Sequence, residues 1–284
     1  MIREQTSQLA PVLGARLDGE PTETTSASDL LVTIFGELMR PAGGAAWTQT
    51  LIESLALFEI EEKAARQAVS RLSAKGWITS ERVGRRTRWR LTPWADDLLT
   101  RGAERIYGLG GQQQPWDGQW LVLLASIPES RRSQRNNMAV GLGWVGFGSL
   151  GQGVWICPWV DRETEATLVL ATAGVADATM FRSTMTNVGD PSTLAERAWG
   201  HDEISAEYAR FIDRFTVTDN PEVKALIDLV HEWRRFPLLD PGLPTELLGK
   251  EWVGGTAAKL FSHTRSRLRK PSITWWTSQE ARFD

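Results

Sequence analysis

Three closely spaced helical patterns begin the chain. Apolar positions recur at helical spacing over residues 30–39 and stop at Pro41, with Ser28 or Asp29 as the expected N-cap. A second pattern covers residues 51–58. A third runs over residues 61–75 and ends at Gly76. The spacing predicts three short helices in close succession.

A hairpin pattern follows the third helix directly. Two β-patterned runs, 77–83 and 87–91, flank the turn Gly84-Arg85-Arg86. Helix, turn, helix and hairpin in this order predict a winged-helix DNA-binding domain over residues 28–92. Residues 1–27 have no sustained periodicity and are predicted to be a flexible tail.

The third helix has one apolar and one basic, hydrogen-bonding face. Ala65, Ala68 and Leu72 lie on the inward stripe. The outward face and the hairpin supply our candidate DNA-binding residues. They are Lys63, Arg66, Gln67, Ser70 and Arg71 on the helix, and Arg82, Arg85, Arg86 and Arg88 on the hairpin.

Charge is unevenly distributed along the chain. Its net charge is -3, yet residues 61–90 hold nine basic and three acidic side chains. That segment carries a local +6, and the rest of the molecule is correspondingly acidic. Segregation of this kind is typical of a surface that neutralises DNA phosphates. A merely solvated charged face is the alternative, disfavoured because helix and hairpin are basic together.

The remaining patterns predict an α+β, multidomain protein. Residues 93–115 fit a linker helix and a Gln-rich linker. Residues 116–187 follow the order β-α-β-β-α-β, which indicates a ferredoxin-like domain. Residues 188–284 are helical, with apolar stripes that suit an effector or dimer domain.

Composition indicates the cellular compartment in which we expect the protein. The single cysteine, Cys157, excludes an intramolecular disulfide, and no Cys/His spacing suits structural zinc. No signal peptide pattern and no apolar run of about 20 residues is present. We expect a cytoplasmic protein without membrane contact.

The sequence contains few residues in patterns that suit catalysis. His201, His231 and His263 are the only histidines. His201-Asp202-Glu203 reads either as a metal cluster or, as we favour, a surface charge group at a helix start; His231 suits a packed, hydrogen-bonded role. We therefore expect no enzyme, no catalytic residue, no metal and no cofactor. A metal-dependent nuclease is the rival class, disfavoured because the first strand of the central domain ends in Ala-Ser-Ile-Pro and Asp117 precedes it.

Three blocks of residues resemble the PaaX family of bacterial repressors, named for control of phenylacetic acid catabolism. The resemblance covers about residues 28–275. The blocks are Phe35 to Pro41 with Gly76-Trp77-Ile78; Trp116 to Trp120 with Gly153 to Pro158; and His231 to Pro244. The third is the most specific, because its Arg-Arg pair, Asp-Pro and Leu-Pro rarely occur together in that order.

This resemblance implies a repressor with a winged-helix head, a central ferredoxin-like domain and a helical C-terminal domain. It also implies a homodimer on double-stranded operator DNA, released by an aryl-acyl-CoA such as phenylacetyl-CoA. A ligand-independent DNA-binding protein is the alternative. Glu59 stands where the family usually has a turn glycine.

Two arginines are candidate effector ligands. The planar guanidinium groups of Arg234 and Arg235 suit phosphate or carboxylate oxygens. Alternatively, either could pair with Asp240 or Glu246 and fix the proline-rich turn, which is the interpretation that we favour.

Overall fold

The computed structural model describes residues 26–110, 115–216 and 222–283. It is a mixed α+β structure with two small antiparallel sheets. The chain divides into two compact units. We call residues 26–108, 211–236 and 259–283 the head unit, and residues 109–210 and 237–258 the central unit. The predicted tail lies outside the described residues up to residue 25. Its last two residues contradict the prediction, because Ser26 is the N-cap of the first helix and Ala27 is its first residue.

Four helices and three strands form the first part of the head unit. The helices are α1 (Ala27–Ile34), α2 (Thr48–Ala56), α3 (Glu62–Ala74) and α4 (Pro93–Gly108). The strands are β1 (Ala45–Trp47), β2 (Ile78–Val83) and β3 (Arg86–Leu91), in sheet order β1-β3-β2. A π-helical turn, Phe35–Met39, continues α1. The sequence did not predict β1 or this turn.

Local geometry explains where these elements start. The Ser26 side chain caps α1 by accepting a hydrogen bond from the Asp29 backbone N–H at 3.2 Å, so the expected cap at Ser28 or Asp29 was wrong. Glu59, before α3, has a φ of 59°. This is the left-handed region that favours glycine, so Glu59 holds a strained backbone conformation.

Later segments complete the head unit. They comprise part of α8 (His201–Thr216), then α9 (Glu222–Trp233) and most of α11 (Gly254–Ala281), which continues through Pro271. The indole of Trp233 stacks on Phe261 with ring centroids 4.6 Å apart and donates a hydrogen bond to the Ile106 carbonyl at 2.9 Å. These buried rings bind α4, α9 and α11 into one core.

The central unit is built around one four-stranded sheet. Its elements are β4 (Gln119–Ala125), α5 (Arg132–Trp144), β5 (Gly148–Gly151), β6 (Val154–Cys157), α6 (Glu163–Ala173), β7 (Ala178–Thr184) and α7 (Pro191–Trp199), with α10 (Phe236–Leu239) further on. The sheet order is β5-β6-β4-β7, with antiparallel neighbours. The elements from β4 to β7 follow the predicted β-α-β-β-α-β sequence.

Alternation along β4 sends side chains to two separate cores. Leu121 and Leu123 belong to a cluster that includes Met138 of α5 and Val169 of α6. Trp120 faces the other way, into a cluster with residues of α7 and the segment after α10. Both faces of the central strand therefore pack against other elements, except near its end, where Leu124 is exposed.

Candidate nucleic-acid interface

The exposed face of α3 carries all five of its predicted site residues. Ala65, Ala68 and Leu72 are buried on the opposite side, so packing fixes the helix orientation. Lys63, Arg66, Gln67, Ser70 and Arg71 are exposed, and the first four line an open groove together with Glu62.

Two of the arginines on α3 already have weak local partners. Arg66 donates to Glu62 at 2.8 Å across one helical turn, and Arg71 lies 3.4 Å from the Ser28 hydroxyl. Exposed pairs of this kind contribute little free energy and are readily exchanged for phosphate oxygens. The face can therefore receive an anionic partner.

The β2–β3 hairpin does not present its four predicted arginines on one surface. Arg85 is exposed in the turn, beside Gly84 with its φ of 60°. In the strand register Arg82 lies opposite Thr87, and Glu81 lies opposite Arg88. Because side chains alternate along a strand, Arg86 and Arg88 share one face of the hairpin and Arg82 lies on the other.

The end of α11 and Phe283 just after it contact Arg86 and Arg88 on their face of the hairpin. The buried Glu280 carboxylate accepts the backbone N–H of Trp47 at 3.0 Å, and Arg88 approaches it at 3.8 Å. Arg86 donates to the Phe283 carbonyl at 2.6 Å. Arg82, Arg85 and Arg86 are all exposed, but Arg86 is already hydrogen-bonded to Phe283, so Arg82 and Arg85 are more readily available to a partner.

A buried charge cluster fixes α11 to the first helices. The Glu37 side chain, in the π-helical turn, is 1% exposed and receives two hydrogen bonds from the Arg265 guanidinium at 3.1 Å. The Tyr107 hydroxyl donates to the same carboxylate, and its ring lies 3.9 Å below the guanidinium carbon.

The cluster also sets the protonation of its members. Burial, reinforced by the Glu37 carboxylate, raises the pKa of Tyr107, so the phenol remains a donor. Burial works against the charged form of Arg265, but Glu37 and Tyr107 together outweigh it and the pKa of Arg265 is raised. The guanidinium therefore stays charged.

Sequence reasoning missed Glu37, Arg265 and Glu280. Their partners lie more than 220 residues away along the chain. One signal was present: Glu37 interrupts the apolar pattern of residues 30–39 at a position that helical spacing turns inward. A charge at such a position requires a partner.

The two candidate effector arginines lie in different environments. Arg234 is 2% exposed, and burial lowers the pKa of its guanidinium group to about 10. Arg235 is more accessible and lies 3.6 Å from Glu232. Asp240, considered as a partner for either, accepts hydrogen bonds from the Tyr208 hydroxyl and the Gly242 N–H, both at 2.7 Å.

His231 occupies a packed position. Its Nδ1 lies 3.2 Å from the Thr33 hydroxyl. Burial, assisted by the positive charge of Arg234, lowers the pKa of His231 to about 2. The imidazole is therefore neutral in the folded protein.

His201 is not on the surface as we had expected. It is 5% exposed, and its Nδ1 lies 3.0 Å from the Glu196 carboxylate. Glu196, His201 and Asp202 bring three potential ligand atoms within 4.8 Å of one another. The same Glu196 carboxylate accepts the Asp202 backbone N–H at 3.1 Å, so the group serves as a cap for α8.

Two further observations concern chemistry and membranes. Cys157 is buried as a free thiol, and burial raises its pKa to about 12, which suppresses the nucleophilic thiolate. None of the helices in the described parts of the chain has the length and apolar character needed to cross a bilayer.

Comparison with known proteins identifies the family. Three family models match successive stretches: PaaX-like protein over residues 26–95, the PaaX protein central Cas2-like domain over 113–195, and the PaaX-like protein C-terminal domain over 199–278. The chain belongs to the PaaX family. The order of the three matches agrees with the PaaX resemblance of the sequence blocks.

Two further comparisons cover most of the chain. It is 28% identical over 266 residues to the transcriptional repressor PaaX of Escherichia coli (strain K12), covering 88% of this chain and 83% of that protein. The solved structure of the uncharacterized protein Rv0674 from Mycobacterium tuberculosis is similar with a TM-score of 0.61 at 19% identity, covering 88% of this chain and 98% of that one. The second likeness concerns the fold alone.

Proposed function

We propose that this PaaX-family protein is a transcriptional repressor that binds operator DNA through a winged-helix head. The observation that carries the proposal is the exposed polar face of α3 beside an arginine-bearing hairpin. Similarity to a transcriptional repressor over 88% of the chain supports the same function. This makes the protein a regulator rather than an enzyme.

The proposed contacts divide by role. Arg66, Gln67, Ser70 and Arg71 read base edges in a major groove, because α3 exposes them on one face. Lys63 binds a phosphate at the start of α3. In the hairpin, Arg85 and Arg82 bind phosphates or a minor groove, while Arg86 and Arg88 contribute less because the end of α11 engages them.

The central unit is proposed to have a ferredoxin-like fold with a structural role. Support comes from its element order and from the sheet order β5-β6-β4-β7. The homodimer is also a proposal, because one winged helix covers too few base pairs for genomic specificity. Sedimentation as a monomer on DNA would contradict it.

The proposed effector is an aryl-acyl-CoA, such as phenylacetyl-CoA. Arg235 is the better of the two candidate ligands, because the burial of Arg234 suits a structural role. An effector that releases DNA must bind the DNA-incompetent state more tightly, so operator DNA should weaken effector binding by the same factor. Calorimetry with Arg235→Ala tests this, and a variant that binds the thioester normally removes Arg235 from the site.

Selection of genomic fragments by the purified protein tests the function. We expect enrichment of a palindromic operator, reduced when candidate thioesters are added. Arg85→Gln should weaken binding to all sequences similarly and make the salt slope shallower by about 0.9, the value for one lost phosphate contact. No sequence enrichment, or an Arg85→Gln variant with wild-type affinity and slope, would count against the docking scheme.

A further inference from the structure

A stripe of cations runs along the outer face of α11. From Gly254 to Gln279 this helix contains five Lys or Arg residues and no Asp or Glu. Arg265 is turned inward to Glu37, and the other four are exposed. We call these four the α11 basic stripe: Lys259, Arg267, Arg269 and Lys270.

Packing determines which face of α11 is left open. Phe261, Leu268, Ser272 and Trp276 are buried. Helical spacing places them opposite Lys259, Arg267 and Lys270, whereas Arg269 lies beside Trp276 at the edge of the buried face. At 3.6 residues per turn, three members of the stripe fall within about 80° of the circumference, and its ends are about 16 Å apart along the axis. Lys259, Arg267 and Lys270 thus follow one side of the helix, and Arg269 lies off that line.

The stripe lacks the neutralising partners common elsewhere on the surface. Arg182, for example, is 2.6 Å from Glu163, and Arg214 is 2.9 Å from Glu232. Within the described residues, no ion pair involves a side chain of the α11 basic stripe. Its positive charge stands uncompensated on a chain with a net charge of -3.

The C-terminal end of α11 reaches the sheet that carries the hairpin. Glu280, in the last turn of α11, contacts the Trp47 backbone beside β3. With a rise of 1.5 Å per residue, Lys270 lies about 15 Å and Lys259 about 32 Å back along the helix axis. Both ends belong to the head unit that carries α3.

We propose that the α11 basic stripe binds the phosphate backbone of duplex DNA flanking the operator core. The proposal rests on the proposed repressor function. A convex helix face offers no cavity for a small anionic effector, whereas a line of cations matches the regular phosphates of a duplex. The distances along α11 correspond to about 4 to 9 base pairs of DNA beyond the hairpin.

The test compares two duplexes of the selected operator: the protected core alone, and the core with about 12 flanking base pairs on each side. Binding is measured by fluorescence anisotropy at several salt concentrations for wild type and Arg267→Gln/Lys270→Gln. Arg197→Gln/Lys250→Gln is the matched control, because both residues are exposed cations of the central unit. Circular dichroism verifies that all proteins are folded.

We expect the wild type to bind the extended duplex more tightly than the core. The stripe variant should lose that advantage, bind the core normally, and show a salt slope on the extended duplex shallower by about 1.8. Between 50 and 200 mM salt this corresponds to roughly a tenfold smaller fall in affinity. The control variant should keep both the advantage and the slope.

Equal affinity of the wild type for both duplexes would overturn the proposal. So would a stripe variant whose affinity falls equally for both duplexes, or for neither of them. Failure of the proposed function looks different: the wild type would then bind neither duplex, which would overturn the function and the stripe together.

Discussion

Replacing Arg265 with Met should destabilise the head unit strongly, because the Glu37 carboxylate, whose side chain is 1% exposed, would lose its guanidinium partner. Removing one partner of a buried pair costs about 3–5 kcal/mol. The Arg265 side chain is 22% exposed and the Tyr107 hydroxyl still donates to the carboxylate, which favours the lower end of that range. We therefore expect a loss of about 3 kcal/mol.

Hydrogen exchange locates this loss. A loss of about 3 kcal/mol should accelerate exchange of the protected amides in α1 and α11 by about 100-fold, while β4 in the central unit should change little. The double variant Glu37→Met/Arg265→Met is the control, because an apolar replacement of both partners is often neutral. Unchanged exchange in the single variant, or a double variant as unstable as the single one, would refute the reasoning.

Three further outcomes follow from particular residues. Arg66→Ala should relax sequence preference at one base position by about 1–3 kcal/mol, measured by competition among operator variants, and an unchanged profile would remove Arg66 from base contact. Glu59→Gly should stabilise the protein by roughly 0.5–1 kcal/mol, measured by urea unfolding, because the relief of left-handed backbone strain exceeds the entropy that glycine adds to the unfolded chain. Glu59→Ala keeps the strain and should show no such gain in stability. His231 has a pKa of about 2 in the folded protein and about 6.5 in the unfolded chain, so only the unfolded chain gains a proton as pH falls below 6.5. The free energy of unfolding should therefore drop by about 2 kcal/mol from pH 8 to pH 5. The His231→Gln variant should not show this pH dependence.

Elements with strong periodicity were predictable from the chain. The amphipathic pattern of α3, with Ala65 and Leu72 inward, predicted its exposed face, and Gly84 predicted the turn of the hairpin. The β-α-β-β-α-β order of the central unit was also predicted. In each case the information is local, since a few turns of helix or one strand contain the whole signal.

Other features depend on contacts that a local pattern does not contain. β1 is three residues long and consists of Ala-Ala-Trp, so it forms only because β3 offers it a free edge. Strand alternation places Arg82 on the opposite face of the hairpin from Arg86 and Arg88. The sequence does not reveal that Glu280, far along the chain, contacts Arg88 on its face. The burial of Arg234 and His201 likewise depends on packing between segments distant in sequence.

The link between Glu37 and Arg265 has a consequence for biosynthesis. The two residues are separated by 228 positions in the sequence, and Trp47 is separated from its partner Glu280 by 233 positions. At about 5–20 residues per second, the first helices leave the ribosome some 10–45 seconds before these partners are made. During that interval a carboxylate that will be buried has no counter-ion, so the nascent segment is expected to remain loosely packed and open to chaperones until translation is nearly finished.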